Sequence, residues 1–210
     1  MSDNTEQLSG SEYIIRGILP ENPVYRQLLG MCPTLAITVG VKEAITMAGA
    51  TAFVLICANL MTSLIRNLLK PHLRILVFTL TIAAFVTIAD RFLAAFLPEM
   101  SDKLGPYVPL IIVNCLIISR CEACSSKSGL WVSLLDGIGM SLGFAIGLVS
   151  IATVREILAK GEWFGLRVLP QAWPNWSIMV FAPGAFFTLG MLLALVQFIS
   201  SRRLSKKEHC

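Results

Sequence analysis

An all-α membrane protein of six transmembrane segments, built as two inverted three-helix repeats, is the fold this sequence predicts. Composition is the first reason. Of its 210 residues, 55% are hydrophobic and 14% charged, with a mean hydropathy of +0.73, whereas a soluble domain carries about 25% charged residues. The second is a set of nearly charge-free runs, several long enough to cross a bilayer at roughly 20 residues per spanning helix. The third is their order, which reads short-long-long and then short-long-long again. Each short segment holds one cysteine.

Residues 1–21 are polar and acidic at the start, and predict a solvated cytoplasmic tail with an amphipathic piece near 13–19. No basic stretch leads into an apolar core there, so no signal peptide is expected. Asn22-Pro23 opens the first repeat, 22–104. Its first segment, 27–41, has 15 uncharged residues around Cys32. At 1.5 Å per residue it reaches about 22 Å of a core about 30 Å thick. Such a segment is broken, tilted or re-entrant, with its loose backbone buried in protein. Residues 44–65 give a full span of 22 uncharged residues, and 73–97 give another, marked by Arg74 and by Asp90-Arg91.

Lys103-Leu104-Gly105-Pro106 separates the halves. The second repeat, 105–201, begins with the second short segment, in which 104–119 is an uncharged run of 16 residues holding Cys115. Residues 128–154 span with Asp136 as their only charge, and carry small residues at 137, 139, 141, 143 and 147 that suit close helix packing. The loop at 161–175, with Trp163, Trp173 and the adjoining Trp176, suits an interfacial aromatic belt. The uncharged run 168–201 supplies the last span, with Pro183-Gly184 early in it where a kink or a close backbone approach is expected. Residues 202–210 form a cytoplasmic tail.

With six crossings, eleven of the 17 basic residues fall on the side of the two termini and six on the other. The positive-inside rule then puts both termini in the cytoplasm. The net charge of +4 is distributed by membrane side, so the lipid bilayer is the implied partner and no nucleic acid is expected.

Short, Gly/Pro-interrupted segments at corresponding places in two halves point to a site near the membrane midplane. A cysteine at each, Cys32 and Cys115, suggests a metal or Fe–S centre, because thiolates are soft ligands and a helix break brings amides close to them. A membrane cysteine otherwise packs as a small apolar residue, which is the reading for Cys57. Fe–S clusters usually take four thiolates. The missing two would come from a partner chain, a second copy or other cysteines here. Cys121 and Cys124 lie about 9 and 13 Å along a helix from Cys115, too far for one small cluster, and a lone Cys-x-x-Cys is a weak zinc signal. Acids at membrane depth mark ion paths or buried partners. That makes Asp136, and after it Asp90, candidates for an ion path, although Asp90 could simply pair with Arg91. Arg120 and Glu122 read as boundary charges. Nothing matches a nucleotide loop, a hydrolase triad or a haem-ligating histidine pair, and no residue is assigned a catalytic role.

LLGMCPTLAIT around Cys32, VPLIIVNCLIISRCEA around Cys115, LLDG around Asp136 and PGAF at 183–186 resemble the NqrD/RnfE family. These are membrane subunits of the Na+-translocating NADH:quinone reductase and of the Rnf ferredoxin:NAD+ oxidoreductase. Pro33 directly after Cys32, and Val108-Pro109 before the second motif, look more like the Rnf E subunit. The resemblance implies that Cys32 and Cys115 ligate a 2Fe–2S cluster completed by two cysteines of a homologous partner of opposite topology, the Rnf A subunit. It further implies electron transfer between flavin- and Fe–S-bearing subunits on the two sides of a bacterial inner membrane, coupled to Na+ or H+ movement. One departure is local: a common family pattern after the second cysteine is Gly-Arg-Ala-Glu-Ala-Phe, where this chain has Ser119-Arg120-Cys121-Glu122-Ala123-Cys124. The alternatives are the NqrD-type subunit, which shares the site but not the partners, and a cofactor-free inverted-repeat transporter.

Overall fold

Two long helices, α2 (Val41–Ile65) and α7 (Leu130–Lys160), pack against each other along most of their lengths and form the spine of the molecule. The structure is a computed structural model and describes residues 14–15, 17–18, 21–66, 73–125, 129–163, 166–167 and 177–208. On the far side of α2 lies α3 (Arg74–Phe96), and on the far side of α7 lies α8 (Ala182–Glu208). The four thus run in the spatial order α3, α2, α7, α8. Each half contributes one central and one outer helix.

The short elements fill the spaces between. They are α1 (Met31–Ile37) before α2, and then α4 (Pro98–Leu104), α5 (Pro109–Ile112) and α6 (Cys115–Arg120) between α3 and α7. Pro98 and Pro109 open α4 and α5, where the missing N–H is no loss. Helix α6 runs into a π-turn at Cys121–Ser125. The one strand pairing among the described residues is a two-residue hairpin, β1 (Glu162–Trp163) with β2 (Leu166–Arg167).

Lipid tails are as apolar as leucine, so helices in a membrane associate through close packing and interhelical hydrogen bonds. The sequence supplies that closeness with small residues on α7. A Cβ on Gly137 would come within 3.1 Å of Asn59 on α2, and one on Gly143 within 2.4 Å of the Gly17 carbonyl oxygen. Gly17, Pro23, Val24 and Tyr25 follow α7 from Gly139 to Ser150. Of the stretch expected as a solvated tail, Gly17 is seated in the glycine groove. Asn22 fastens the chain here: its side chain donates to the Gly143 carbonyl at 3.1 Å and accepts from the amides of Val24 and Tyr25.

The core falls into two clusters. One joins α2, α3, α5 and α6 through Val54, Ile82, Ile111 and Ile117; the other joins α2, α7 and α8 through Ala44, Phe144, Leu148 and Leu189. In the most apolar windows of α2 and α7, 44% and 56% of residues are buried, against 22% in α3 and α8. The outer helices therefore turn most of their apolar surface outward, as lipid- or subunit-facing helices do.

Four helices are long and apolar enough to cross a membrane, and the pair Pro98–Tyr107 and Pro109–Ser125, bent by 55°, makes a fifth if taken as one span. Among the described residues the expected first crossing has no helix of spanning length, because α1 is only seven residues long. The second short segment is broken, as its length required, at Val113-Asn114. Close approach at Gly184 also follows expectation: a Cβ there would lie 2.5 Å from the Met179 Cα. Trp163 is half exposed on the hairpin; Trp173 and Trp176 lie outside the described residues, as do residues 1–13 of the tail and 209–210.

Candidate functional site

Both sequence-marked cysteines sit in the first turn of a short helix. Cys32 is the second residue of α1 and Cys115 the first of α6. Both thiols are exposed. The backbone reaches α1 through Leu28 and Gly30, both left-handed, with φ of 54° and 74°. For a bulky residue such as Leu28 this conformation costs about 1–2 kcal/mol, and strain of that kind concentrates at functional sites. Pro33 fits because the first-turn amides of a helix have no internal partner. At α6 the break is made by Asn114. Its backbone is extended (ψ 116°), and its side-chain oxygen caps the helix by accepting from the Leu116 amide at 3.0 Å.

Although far apart in sequence, the two helix starts meet. The Gly30 amide donates to the Cys115 sulfur at 3.0 Å, so the backbone two residues before one cysteine touches the other. A Cβ on Gly30 would lie 2.6 Å from the Phe144 ring and 3.5 Å from the Asn114 side-chain oxygen. Asn114 is itself buried, and its side-chain nitrogen has no partner among the described residues. Leu28, four residues before Cys32, and Val113, two before Cys115, are exposed.

The opposite ends of the two short helices are held crosswise. Thr38 follows Cys32 by six positions, and Cys121 follows Cys115 by six. The Thr38 hydroxyl accepts from Arg155 of α7 at 2.7 Å. The Cys121 thiol donates to Asn59 of α2 at 3.6 Å, and Asn59 in turn donates to the Ser133 carbonyl at 3.4 Å. Each cysteine-bearing helix is thus tied to the long helix of the other half of the chain. Arg155 is 1% exposed and also donates to the carbonyls of Leu35, Met179 and Val180, at 3.0–3.4 Å. Beside it, the buried Glu156 accepts from the Val41 amide at 2.7 Å and so caps α2.

Asp136 is buried and has a partner: Arg120 grips it with two hydrogen bonds, Nε to Oδ2 at 3.0 Å and Nη2 to Oδ1. Arg120 is therefore no boundary charge. Asp90 is half-buried on α3, and no ion pair with Arg91 is found among the described residues. Cys121 is fully buried, Cys124 and Cys57 partly so. Among the described residues no three His, Cys, Asp or Glu side chains converge on a point that could hold a metal ion.

Gly30, Asn114, Arg120 and Arg155 are the residues that sequence reasoning missed. Glycine two positions before one cysteine and asparagine, a strong helix N-cap, directly before the other were the available signals. Arg120 and Arg155 gave none, since both follow apolar runs as boundary charges do.

A family model described as "Rnf-Nqr subunit, membrane protein" matches residues 11–193. Similar proteins include the E subunit of the Na(+)-translocating ferredoxin:NAD(+) oxidoreductase complex of Acetobacterium woodii, 40% identical over 88% of this chain and 94% of its own length. The E subunit of an ion-translocating oxidoreductase complex of Methanosarcina acetivorans is 39% identical over 93% of each chain. The D subunit of the Na(+)-translocating NADH-quinone reductase of Aeromonas salmonicida is 37% identical over 99% of this chain and 100% of its own.

Proposed function

The chain belongs to the Rnf-Nqr family of membrane subunits, and from that premise we propose that it is the E-type subunit of an Rnf-type ion-translocating ferredoxin:NAD+ oxidoreductase, inactive on its own. In this reading it lies in a bacterial inner membrane with both termini cytoplasmic. It crosses six times as two inverted repeats, the chain leading into α1 completing the first crossing and the bent pair making the fourth. Cys32 and Cys115 would hold one side of a 2Fe–2S cluster, and the homologous A subunit would supply the other two thiolates.

The observation that carries the reading is the meeting of the two helix starts, joined by the Gly30 amide on the Cys115 sulfur. The residues present suit an anionic, sulfur-rich group. Two exposed thiols stand among first-turn amides, and the buried side-chain nitrogen of Asn114 next to Cys115 has no acceptor within the described residues. Two thiolates are half the usual complement, so a second chain must close the site. When bound, such a cluster supplies one-electron transfer. The rest is the work of this chain: α1 and α6 present the thiols, Asn59 and Arg155 fix the far ends of those helices, and Leu28 and Val113 offer an apolar rim against which a partner excludes water. Asp136, and less directly Asp90, are proposed for the Na+ or H+ path, with Arg120 setting the charge balance at Asp136.

A second reading, the NqrD-type subunit, is favoured by the match to the Aeromonas protein, which covers that relative completely. It keeps the same site and changes the partners. The test is to purify the complex from its native membrane, identify the co-purifying subunits and record its absorbance and EPR spectra when reduced. A 2Fe–2S signal in the complex, with the isolated chain retaining no stoichiometric iron, supports the proposal. An intact complex without Fe–S bands sinks it and leaves the cofactor-free transporter.

A further inference from the structure

We infer that Gly30 tunes the redox centre: its backbone N–H, donated across the repeat boundary to the Cys115 sulfur, raises the reduction potential of the cluster that this cysteine holds. The inference rests on the cluster reading above and adds a residue that is not a ligand. Its basis is local geometry. The N–H···S distance is 3.0 Å. The amide is aimed by a left-handed φ of 74°, and no side chain fits at that position, because a Cβ would stand 2.6 Å from Phe144. Gly30 is thus held from both directions, by its own backbone conformation and by the ring beside it. Its neighbour Asn114 brings a second buried N–H group to the same place with no other acceptor among the described residues. A hydrogen bond to a cysteine sulfur disperses negative charge and favours the more negative, reduced state of an Fe–S centre, so hydrogen bonding to the sulfurs is one of the levers that set its potential.

Gly30 is a positioning and tuning residue, so its readout is the potential rather than turnover. In the purified complex, the EPR-monitored redox titration of the signal that depends on Cys32 and Cys115 is compared between the unaltered protein and two variants. Gly30→Ala combined with Phe144→Leu, which makes room for the methyl group while alanine still disfavours the φ of 74° that aims the amide, should keep the signal, turn the N–H off the sulfur and move the midpoint to lower potential. Phe144→Leu alone should leave the midpoint where it is. A signal retained in the double variant at the original midpoint overturns the inference while leaving the cluster reading intact. No cysteine-dependent signal in the unaltered complex overturns the reading itself. Should the double variant fail to assemble, selective 15N-glycine labelling of the unaltered complex decides: a hyperfine coupling from a glycine amide nitrogen to the reduced centre supports the bond, and its absence rejects it.

Discussion

The starts of α1 and α6 present the same residue in the same kind of place, yet they are built differently. Helix α6 is opened by a side chain: Asn114 caps it through the Leu116 amide. Helix α1 is opened by the backbone alone, through left-handed Gly30 with no side-chain cap. The difference follows from what each start must touch. Asn114 has room to bend over its own helix. Gly30 is wedged against Phe144 and must turn its amide outward, to the sulfur of Cys115. Where the two halves approach a shared point, one contributes a self-contained cap and the other gives up its cap to make the bridge. The two helix starts are alike in position and not in chemistry.

The comparison breaks most severely at the cysteines themselves. If the two helix starts are equal ligands, Cys32→Ala and Cys115→Ala should each abolish the EPR signal of the reduced complex and its electron transfer, while Cys57→Ala should leave both nearly unchanged. A full signal in either of the first two variants ends the equivalence.

Next in size is the buried Arg120–Asp136 ion pair in the second half of the chain. Asp136→Asn leaves Arg120 without its charge partner, and removing one member of a buried pair costs about 3–5 kcal/mol. Reduced assembly, read as the yield of intact complex, is the expected outcome. Arg120→Gln together with Asp136→Asn should recover much of that yield. If ion uptake per electron is still lost in the recovered double variant, Asp136 belongs to the ion path; if it is normal, the carboxylate only braces α6 against α7.

The crossed ties should be unequal as well. Arg155→Gln gives up several hydrogen bonds from a fully buried guanidinium and strands the carbonyls it served, at about 1–3 kcal/mol for each buried group left unpaired. Asn59→Ala gives up one long thiol contact and one long carbonyl contact. Thermal denaturation of the detergent-solubilised complex should therefore show a larger drop for Arg155→Gln than for Asn59→Ala, and the reverse order would refute the hub role of Arg155. The smallest effect belongs to the cap: Asn114→Ala should cost about 1 kcal/mol, seen as a slight fall in melting temperature with both cysteines still competent.

What was legible in the sequence was whatever depended on segment length or on local residue type. Uncharged runs of 15 and 16 residues cannot fill a bilayer, so the breaks beside Cys32 and Cys115 followed from arithmetic. The small residues of α7 announced a close contact without saying what would come close, and it proved to be Gly17 and residues 23–25 as well as α2. The Arg120–Asp136 pair and the burial of Arg155 were not legible, because each depends on which elements face one another. An arginine at the end of an apolar run reads the same whether it meets water or a ring of protein oxygens. Among the described residues the expected first segment holds only the seven-residue α1, because apolar length does not say where in a segment the helix begins.

Arg155 also sets a schedule for synthesis. The hydroxyl of Thr38 and the carbonyl of Leu35 wait for a guanidinium that lies 117 and 120 residues further along the chain. At about 5–20 residues per second, a ribosome needs roughly 6–24 s to deliver it. For that interval the C-terminal end of α1 is undocked, and the first cysteine motif cannot take its final place until α7 has been made. The nascent protein therefore has a period in which Cys32 is present and its setting is not; under the cluster proposal, loading of the centre would follow the emergence of α7.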